Sequence, residues 1–285
     1  MNVRSASFRD IHRIEELYRD CLARDCQGSE LSSDCPVPQA TLMRLWSAVS
    51  KTISSLMPLG DSGDTLYVAE DGQEGIIGFI QAQAAPSKPK GWQILNLCVA
   101  PTGPGHFAGE RLVTHLCNRG LEHGVTRFYV RLPLDHPLIS VFQAQGFTQF
   151  ATEQILYHDD PRPAQPHSAL LRPARRDDVA AIYLLYLRIT PSHVASLEGP
   201  SLKAWQAAFA GGMLARVGRD EMRHHVADLP GVTAWAAVRP ASSTRPTSLT
   251  LMCEGQDGDL REAFIDAALG ELPGGPVSCV LRHYD

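Results

Sequence analysis

One stretch of this sequence occurs twice, and that repeat limits the folds open to it more than any other feature. VRSASFRDIHRIEELY from Val3 and LRPARRDDVAAIYLLY from Leu171 align without gaps at an offset of 168, with Arg, Ala, Asp, Ile, Leu and Tyr coinciding in place. Order persists downstream: Val68-Ala69 aligns with Val226-Ala227, LNLCV at 95–99 with LTLMC at 249–253, and FYVRL at 128–132 with SCVLR at 278–282. Self-similarity on this scale reads as two folding units of one kind. The stretch DDPRPAQPHS (159–168), with three prolines and no apolar periodicity, reads as a stiff exposed linker. The expected organisation is therefore a first domain over 1–158, a linker over 159–168 and a shorter second domain over 169–285. A length of 285 residues agrees, at roughly 150 residues per domain.

Composition narrows the partners. The chain is 44% hydrophobic and 20% charged with a net charge of −5, a globular profile with no basic patch to hold nucleic acid or an anionic membrane. Unbroken apolar or glycine runs such as Gly75–Ile80 fall far below the ~18 residues of a membrane span. The N-terminus, with Arg4, Arg9 and Asp10, lacks the apolar core of a secretory signal, so the expected location is the cytoplasm. Seven cysteines, an odd number with no Cys-x-x-Cys step near Cys21, Cys26 and Cys35, read as free thiols; no metal site is expected.

In the first copy Ile11, Ile14, Leu17, Tyr18, Cys21 and Leu22 recur at helical spacing, with Ser7 and Asp10 as a capping box. A second helix is expected over about 41–56. A hairpin follows, with strands at 66–70 and 76–84 about the turn Asp71-Gly72, and then a more apolar strand at 92–99. A helix over about 109–122 capped by Gly124, a strand at 126–132, a helix at 137–145 stopped by Gly146, and a strand at 147–157 complete the copy. The second copy repeats the order as far as a strand at 277–282. It lacks the closing helix and strand, so its sheet would end on a bare edge unless the first domain or a partner subunit covers it. Tyr183, Tyr186 and Leu187 have core spacing, and His224-His225 on a strand would point to opposite faces, so both read as structural.

The chemistry-bearing stretch is LNLCVAPTGPGHFAGERLVTHL (95–116), an apolar strand that runs through a glycine-containing loop into a helix. Backbone N–H groups of such a loop and of the first helical turn converge on one spot that the helix dipole makes favourable for an anion. Gly103, Gly105 and Gly109 either permit that close approach or only shape a tight strand-to-helix turn. The order of elements, the hairpin YVAEDGQEGIIGFIQAQA, the Val99-x-Pro101 strand ending and FQAQGF at 142–147 together resemble the GNAT superfamily of acetyl-CoA-dependent N-acetyltransferases across nearly all of 1–158, and more weakly in 169–285. The resemblance implies an α/β (α+β) fold of two tandem acyl-CoA N-acyltransferase-like domains, each a mixed, mostly antiparallel twisted sheet flanked by helices. It implies a sheet splayed between the strand ending at Val99 and the strand starting near Thr126, with acetyl-CoA as cosubstrate in the splay. The pantetheine arm would then pair with backbone near Leu97, Cys98 and Val99, and the pyrophosphate would sit on the loop Pro104, Gly105, His106, Phe107, Ala108, Gly109 and Glu110. Asp135 and Phe142 occupy the family positions for the asparagine that opens the late helix and for the tyrosine that protonates the leaving thiolate.

The departures from the family pattern are as informative. Its loop runs Arg or Gln, two residues, Gly, one residue, Gly or Ala, which falls here on Pro104, Phe107 and Gly109; only the last conforms. Phe142 has no proton to donate, and Gln93, at a position where some members carry a basic glutamate, cannot act as a base. No catalytic residue is assigned. Deprotonating an exposed lysine amine at pH 7 costs ~4.6 kcal/mol, against ~1.4 kcal/mol for an α-amine of pKa ~8, and a positioned base is worth ~10²–10⁴-fold. The expected reaction is therefore acetyl transfer to a low-pKa amine of a small molecule or peptide by direct attack. The alternative is a noncatalytic acyl-CoA-binding or regulatory protein. In the second copy, Glu254, Asp257 and Asp259 of EGQDGD stand where phosphates would sit, so that half is expected to be noncatalytic. A monomer and a homodimer both remain open.

Overall fold

The computed structural model describes residues 1–27, 65–72, 74–85, 90–101, 105–159, 171–209, 222–228, 231–241, 246–254, 258–272, 275–282 and 284. The helix expected over 41–56 and nearly all of the proline-rich stretch lie outside them. The chain divides into two units, Met1–Thr148 and Gln149–Asp285.

In the first unit β1 (Asn2–Ser5), β2 (Thr65–Asp71), β3 (Gly75–Ala84), β4 (Gly91–Val99) and β5 (Arg127–Tyr129) form one sheet in that order. All neighbours are antiparallel except β4 and β5. Helix α1 (Ile11–Gln27) places Ile14, Leu17 and Tyr18 on Leu66, Val68, Phe79 and Cys98. Helix α2 (Gly105–Glu122) places Ala108, Leu112, Val113 and Leu116, all 0% exposed, on Tyr67, Ile80, Ala82, Trp92 and Ile94. The two helices thus cover opposite faces, each through the stripe that its apolar spacing sets. A short helix α3 (Ile139–Ala144) packs Val141 and Phe142 into the α2-side cluster. The start of α1 is fixed electrostatically: Arg4 donates to both oxygens of Asp10 at 2.7 and 3.0 Å, and the Ser7 backbone N–H donates to Asp10 Oδ2 at 2.6 Å. With the hydrogen bond from Arg4 as the main cause, the Asp10 carboxyl is held down to about 2.

In the second unit the sheet runs β6 (Glu153–His158), β11 (Val277–Arg282), β10 (Thr247–Cys253), β9 (Val232–Arg239), β8 (Arg223–Asp228), β7 (Arg172–Pro173), and here only β10 and β11 are parallel. Helices α4 (Val179–Ile189), α5 (Ser192–Glu198), α6 (Leu202–Phe209) and α7 (Gly258–Gly270) complete it. Arg172 repeats the arrangement at Arg4, with bonds to Asp178 at 2.7 and 2.9 Å and to Asp228 at 3.0 Å, and the Arg175 N–H reaches Asp178 at 2.7 Å. This second sheet is consistent with a tandem arrangement. His224 and His225 do face opposite ways: His224 stacks between Phe209 at 3.9 Å and Trp235 at 5.7 Å, whereas His225 Nε2 lies 3.5 Å from Glu271.

Two expectations are corrected here. The strand expected to close the first domain is β6, and it belongs to the second sheet, so the units divide after Thr148 and not after 158. An alternation of apolar residues specifies a strand but not which sheet it joins. Its antiparallel ladder with β11, from Glu153↔Arg282 to His158↔Val277, covers the edge that would otherwise be bare. The strand expected over 126–132 is shorter, at Arg127–Tyr129.

An ionic cluster ties β6 in place. Arg282 donates to Glu153 at 3.0 and 3.1 Å, to Glu198 at 2.7 Å and to the Tyr284 hydroxyl at 2.8 Å, while the Tyr186 hydroxyl donates to Glu198 at 3.0 Å.

Candidate active site

The site is built on β4. Its register against β3 runs Gly78↔Val99 to Gln81↔Asn96 and resumes at Ala82↔Ile94, so Leu95 is an extra residue, a β-bulge. The parallel ladder with β5 covers only Gly91↔Arg127, Trp92↔Phe128 and Gln93↔Tyr129, after which β4 runs on to Val99 without it. The two strands part here, as the resemblance implied, and α2 opens just beyond at Gly105.

That helix start corrects a third expectation. Residues 105–109 are the first turn and a half of α2, where the sequence predicts a loop with the helix beginning near Gly109. Glycine's weak helix propensity argued for a loop, but burial of Ala108, Leu112 and Leu116 overrides it. Gly109 lies against Val141 and Val99, where a Cβ would stand at 3.5 and 3.6 Å, ordinary contact distances that leave room for one. Gly78 is tighter still, since its Cβ would meet the Cys98 carbonyl at 3.0 Å and Leu112 and Val99 at 3.2 Å. The N–H groups of the first turn of α2 therefore sit at the end of a helix fastened firmly to β3 and β4.

The predicted residues separate into groups. Leu97, Val99, Ala108 and Phe142 meet in the α2-side cluster, and Gly109 lies against Val99. Cys98, on the other face, is buried under α1, and the Cys21 thiol donates weakly to the Val99 carbonyl at 3.9 Å. Phe107 is 54% exposed, with the Arg111 guanidinium 5.2 Å above its ring. Glu110 is half-buried and Asp135 exposed in the turn before α3. Pro104 lies outside the described residues, as do the side-chain surroundings of His106. Phe142 is 3% exposed, edge-on to Phe147 at 5.1 Å, and acts as a core residue.

Arg111 is a group that the sequence reading passed over. It places a cation within two turns of the α2 start; its signal was a basic residue two positions past Gly109. Other perturbed groups of this unit are not bases in waiting. Burial pushes the Cys117 thiol up to about 11 and lowers the His115 imidazole, whose ring meets Tyr67 edge-on at 4.7 Å. Among the described residues no group of three or more His, Cys, Asp or Glu could hold a metal ion, and no helix is long and apolar enough to cross a membrane. At the matching place in the second unit, Arg188 clamps both oxygens of Glu254 at 2.7 to 3.0 Å and also donates to the Val232 carbonyl. Asp257 lies outside the described residues.

Comparison with known proteins gives the following. The family model described as "Acetyltransferase (GNAT) family" matches residues 13–147. No curated protein matches the chain significantly. Among solved structures, a Bacillus halodurans protein crystallised as a tetramutant is 18% identical over 52% of this chain and 94% of its own, with a TM-score of 0.42. The PaiA N-acetyltransferase of Thermoplasma acidophilum, solved in complex with coenzyme A, is 16% identical over 51% of this chain and 87% of its own, with a TM-score of 0.39. A GCN5-related N-acetyltransferase from Anabaena variabilis aligns with 100% of this chain and 66% of its own at 12% identity, with a TM-score of 0.46. The match to the acetyltransferase (GNAT) family model thus covers residues 13–147, within the first unit.

Proposed function

We propose that the first unit binds acetyl-CoA between β4 and β5 and transfers its acetyl group to an amine of a small molecule or peptide. The observation that carries this reading is the early end of the β4–β5 ladder at Gln93↔Tyr129, with the start of α2 following directly on β4. The diverging edge of β4 at Leu97, Cys98 and Val99 offers backbone groups to an amide-bearing arm, a form of strand addition. The first turn of α2, from Gly105 through His106, Phe107, Ala108 and Gly109, offers N–H groups to a pyrophosphate, and Arg111 adds a cation. That cation compensates for Pro104, which has no N–H to give. In this reading the second unit is a tandem copy without a phosphate site, because Glu254 and its partner Arg188 fill the matching place.

Acetyl-CoA supplies the thioester carbonyl. The chain's task is to hold that carbonyl beside an unprotonated amine, whose lone pair forms the C–N bond as the C–S bond breaks. Water takes the amine proton and the thiolate leaves. Proximity alone supports such a step for an α-amine, whose deprotonation at pH 7 costs only ~1.4 kcal/mol.

The test is calorimetric titration of the full chain with acetyl-CoA and with CoA, repeated on Gly109→Asp and Gly109→Ala. Micromolar binding that Gly109→Asp abolishes and Gly109→Ala keeps is the expected result; no binding to either ligand overturns the reading. A specific observation favours the second reading, an acyl-CoA-binding protein without catalysis: Phe142 is locked in the core and carries no hydroxyl. Tight binding without turnover on any amine would establish it.

A further inference from the structure

We propose that a row of side-chain amides on the α1 side of β3 and β4 selects the acceptor, and that the acceptor is an α-amine flanked by uncharged amide groups, as in an amino-acid amide or a peptide N-terminus. The proposal rests on the acetyl-CoA reading above. Gln81 lies opposite Asn96, and Gln83 opposite Gln93. Residues three apart on a regular strand point to opposite faces, so Gln93 and Asn96 should be on different sides of the sheet. The bulge at Leu95 cancels that alternation and brings both onto the face that carries Phe79 and Cys98. Tyr129, opposite Gln93, shares the same face.

The other face of these strands is closed. Ile80, Ala82, Trp92 and Ile94, none more than 5% exposed, pack there against Leu112 and Leu116 of α2. A group that reaches the end of the β4–β5 ladder therefore arrives on the α1 side, over the amides. Gln81, at 3% exposed, is closed off as well and serves to orient its neighbour, since Asn96 Nδ2 donates to its Oε1 at 2.7 Å, whereas Gln83, Gln93 and Asn96 are half-buried. Among the described residues this is the one hydrogen bond that the four side chains make, so most donors and acceptors of the half-buried Gln83, Gln93 and Asn96 stay available. The row carries no charge. The cation nearest in register, Arg127 opposite Gly91, lies beyond the Gln83–Gln93 pair from Gln81 and Asn96. A carboxylate or a second ammonium laid on Asn96 would lose hydration with no counter-charge in that row, whereas an amide finds both a donor and an acceptor.

The experiment measures thiol release from acetyl-CoA by the full chain with serinamide, serine and 1,3-diaminopropane, compared at equal concentrations of unprotonated amine so that basicity does not decide. Serinamide should exceed the other two in kcat/KM by about tenfold or more. Asn96→Leu and Gln93→Leu, both at half-buried positions, should each raise the serinamide KM about five- to tenfold and leave the acetyl-CoA Kd within about twofold. Equal efficiency on the three amines, or a serinamide KM unmoved by both variants, overturns the proposal. Acetyl-CoA binding without turnover of serinamide overturns it as well while leaving acyl-CoA binding intact. Failure to bind acetyl-CoA defeats the underlying reading and this proposal with it.

Discussion

Arg282→Met is the substitution whose effect the second unit defines most sharply. Arg282 is the cation shared by Glu153 on β6 and Glu198 on α5, at 3.0 and 2.7 Å, and the three side chains are 20%, 15% and 10% exposed. Methionine matches the length of the aliphatic stem but removes the guanidinium that two largely buried carboxylates share. Removing one partner of such a pair costs about 3–5 kcal/mol, chiefly through the charge left behind. Against a total domain stability of roughly 5–15 kcal/mol this is a large fraction. For a unit of this size, in which each kcal/mol moves the midpoint by about 3–5 °C, the transition should fall by roughly 10–20 °C. The assay is thermal unfolding of the full chain followed by tryptophan fluorescence, because Trp205 and Trp235 lie in this unit. Desolvation reasoning adds a second expectation: combining Arg282→Met with Glu153→Gln and Glu198→Gln should recover at least half of the loss, since no buried charge then remains. A midpoint within about 2 °C of native in the single variant, or a triple variant worse than the single one, would refute the argument.

Three further outcomes follow from the same structure. A fragment of residues 149–285 should unfold cooperatively, whereas 169–285, without β6, should aggregate or remain unfolded because the β11 edge loses its ladder and Arg282 loses Glu153; cooperative two-state melting of the shorter fragment would contradict this. His224, pushed down to about 4 by burial between Phe209 and Trp235, binds its proton more readily when unfolded. The second unit should therefore be stable above pH 6.5, lose up to about 3 kcal/mol as pH falls from there to 4, and show a flatter profile in denaturant titrations of His224→Phe. Gly78→Ala should destabilise the first unit by roughly 1–3 kcal/mol, because a Cβ meets the Cys98 backbone oxygen at 3.0 Å. Gly109→Ala, with contacts no closer than 3.5 Å, should stabilise its helix by roughly 0.5–1 kcal/mol, and equal signs in urea unfolding would rule out this packing account.

Much of this protein is local in origin and was therefore open to reading from the chain. The apolar spacing of Ile11, Ile14, Leu17 and Tyr18 makes α1 whatever surrounds it, and Asp10 in register with Arg4 and Ser7 starts it. The hairpin about Asp71-Gly72 and the apolar run into Val99 follow from turn chemistry and from hydrophobic patterning, whereas the splay beyond Gln93↔Tyr129 was expected only through the family resemblance. Tertiary structure decided whatever depends on partners distant in sequence. EQILYH alternates in the same way beside any sheet, and only the ladder to β11 and the charge of Arg282 assign it to the second. Glycine propensity pointed to a loop at 105–109, and burial of Ala108, Leu112 and Leu116 made it helix. The side on which Gln93 stands was unreadable as well, because one extra residue at Leu95 inverts the alternation, and a bulge is set by how two strands settle against each other.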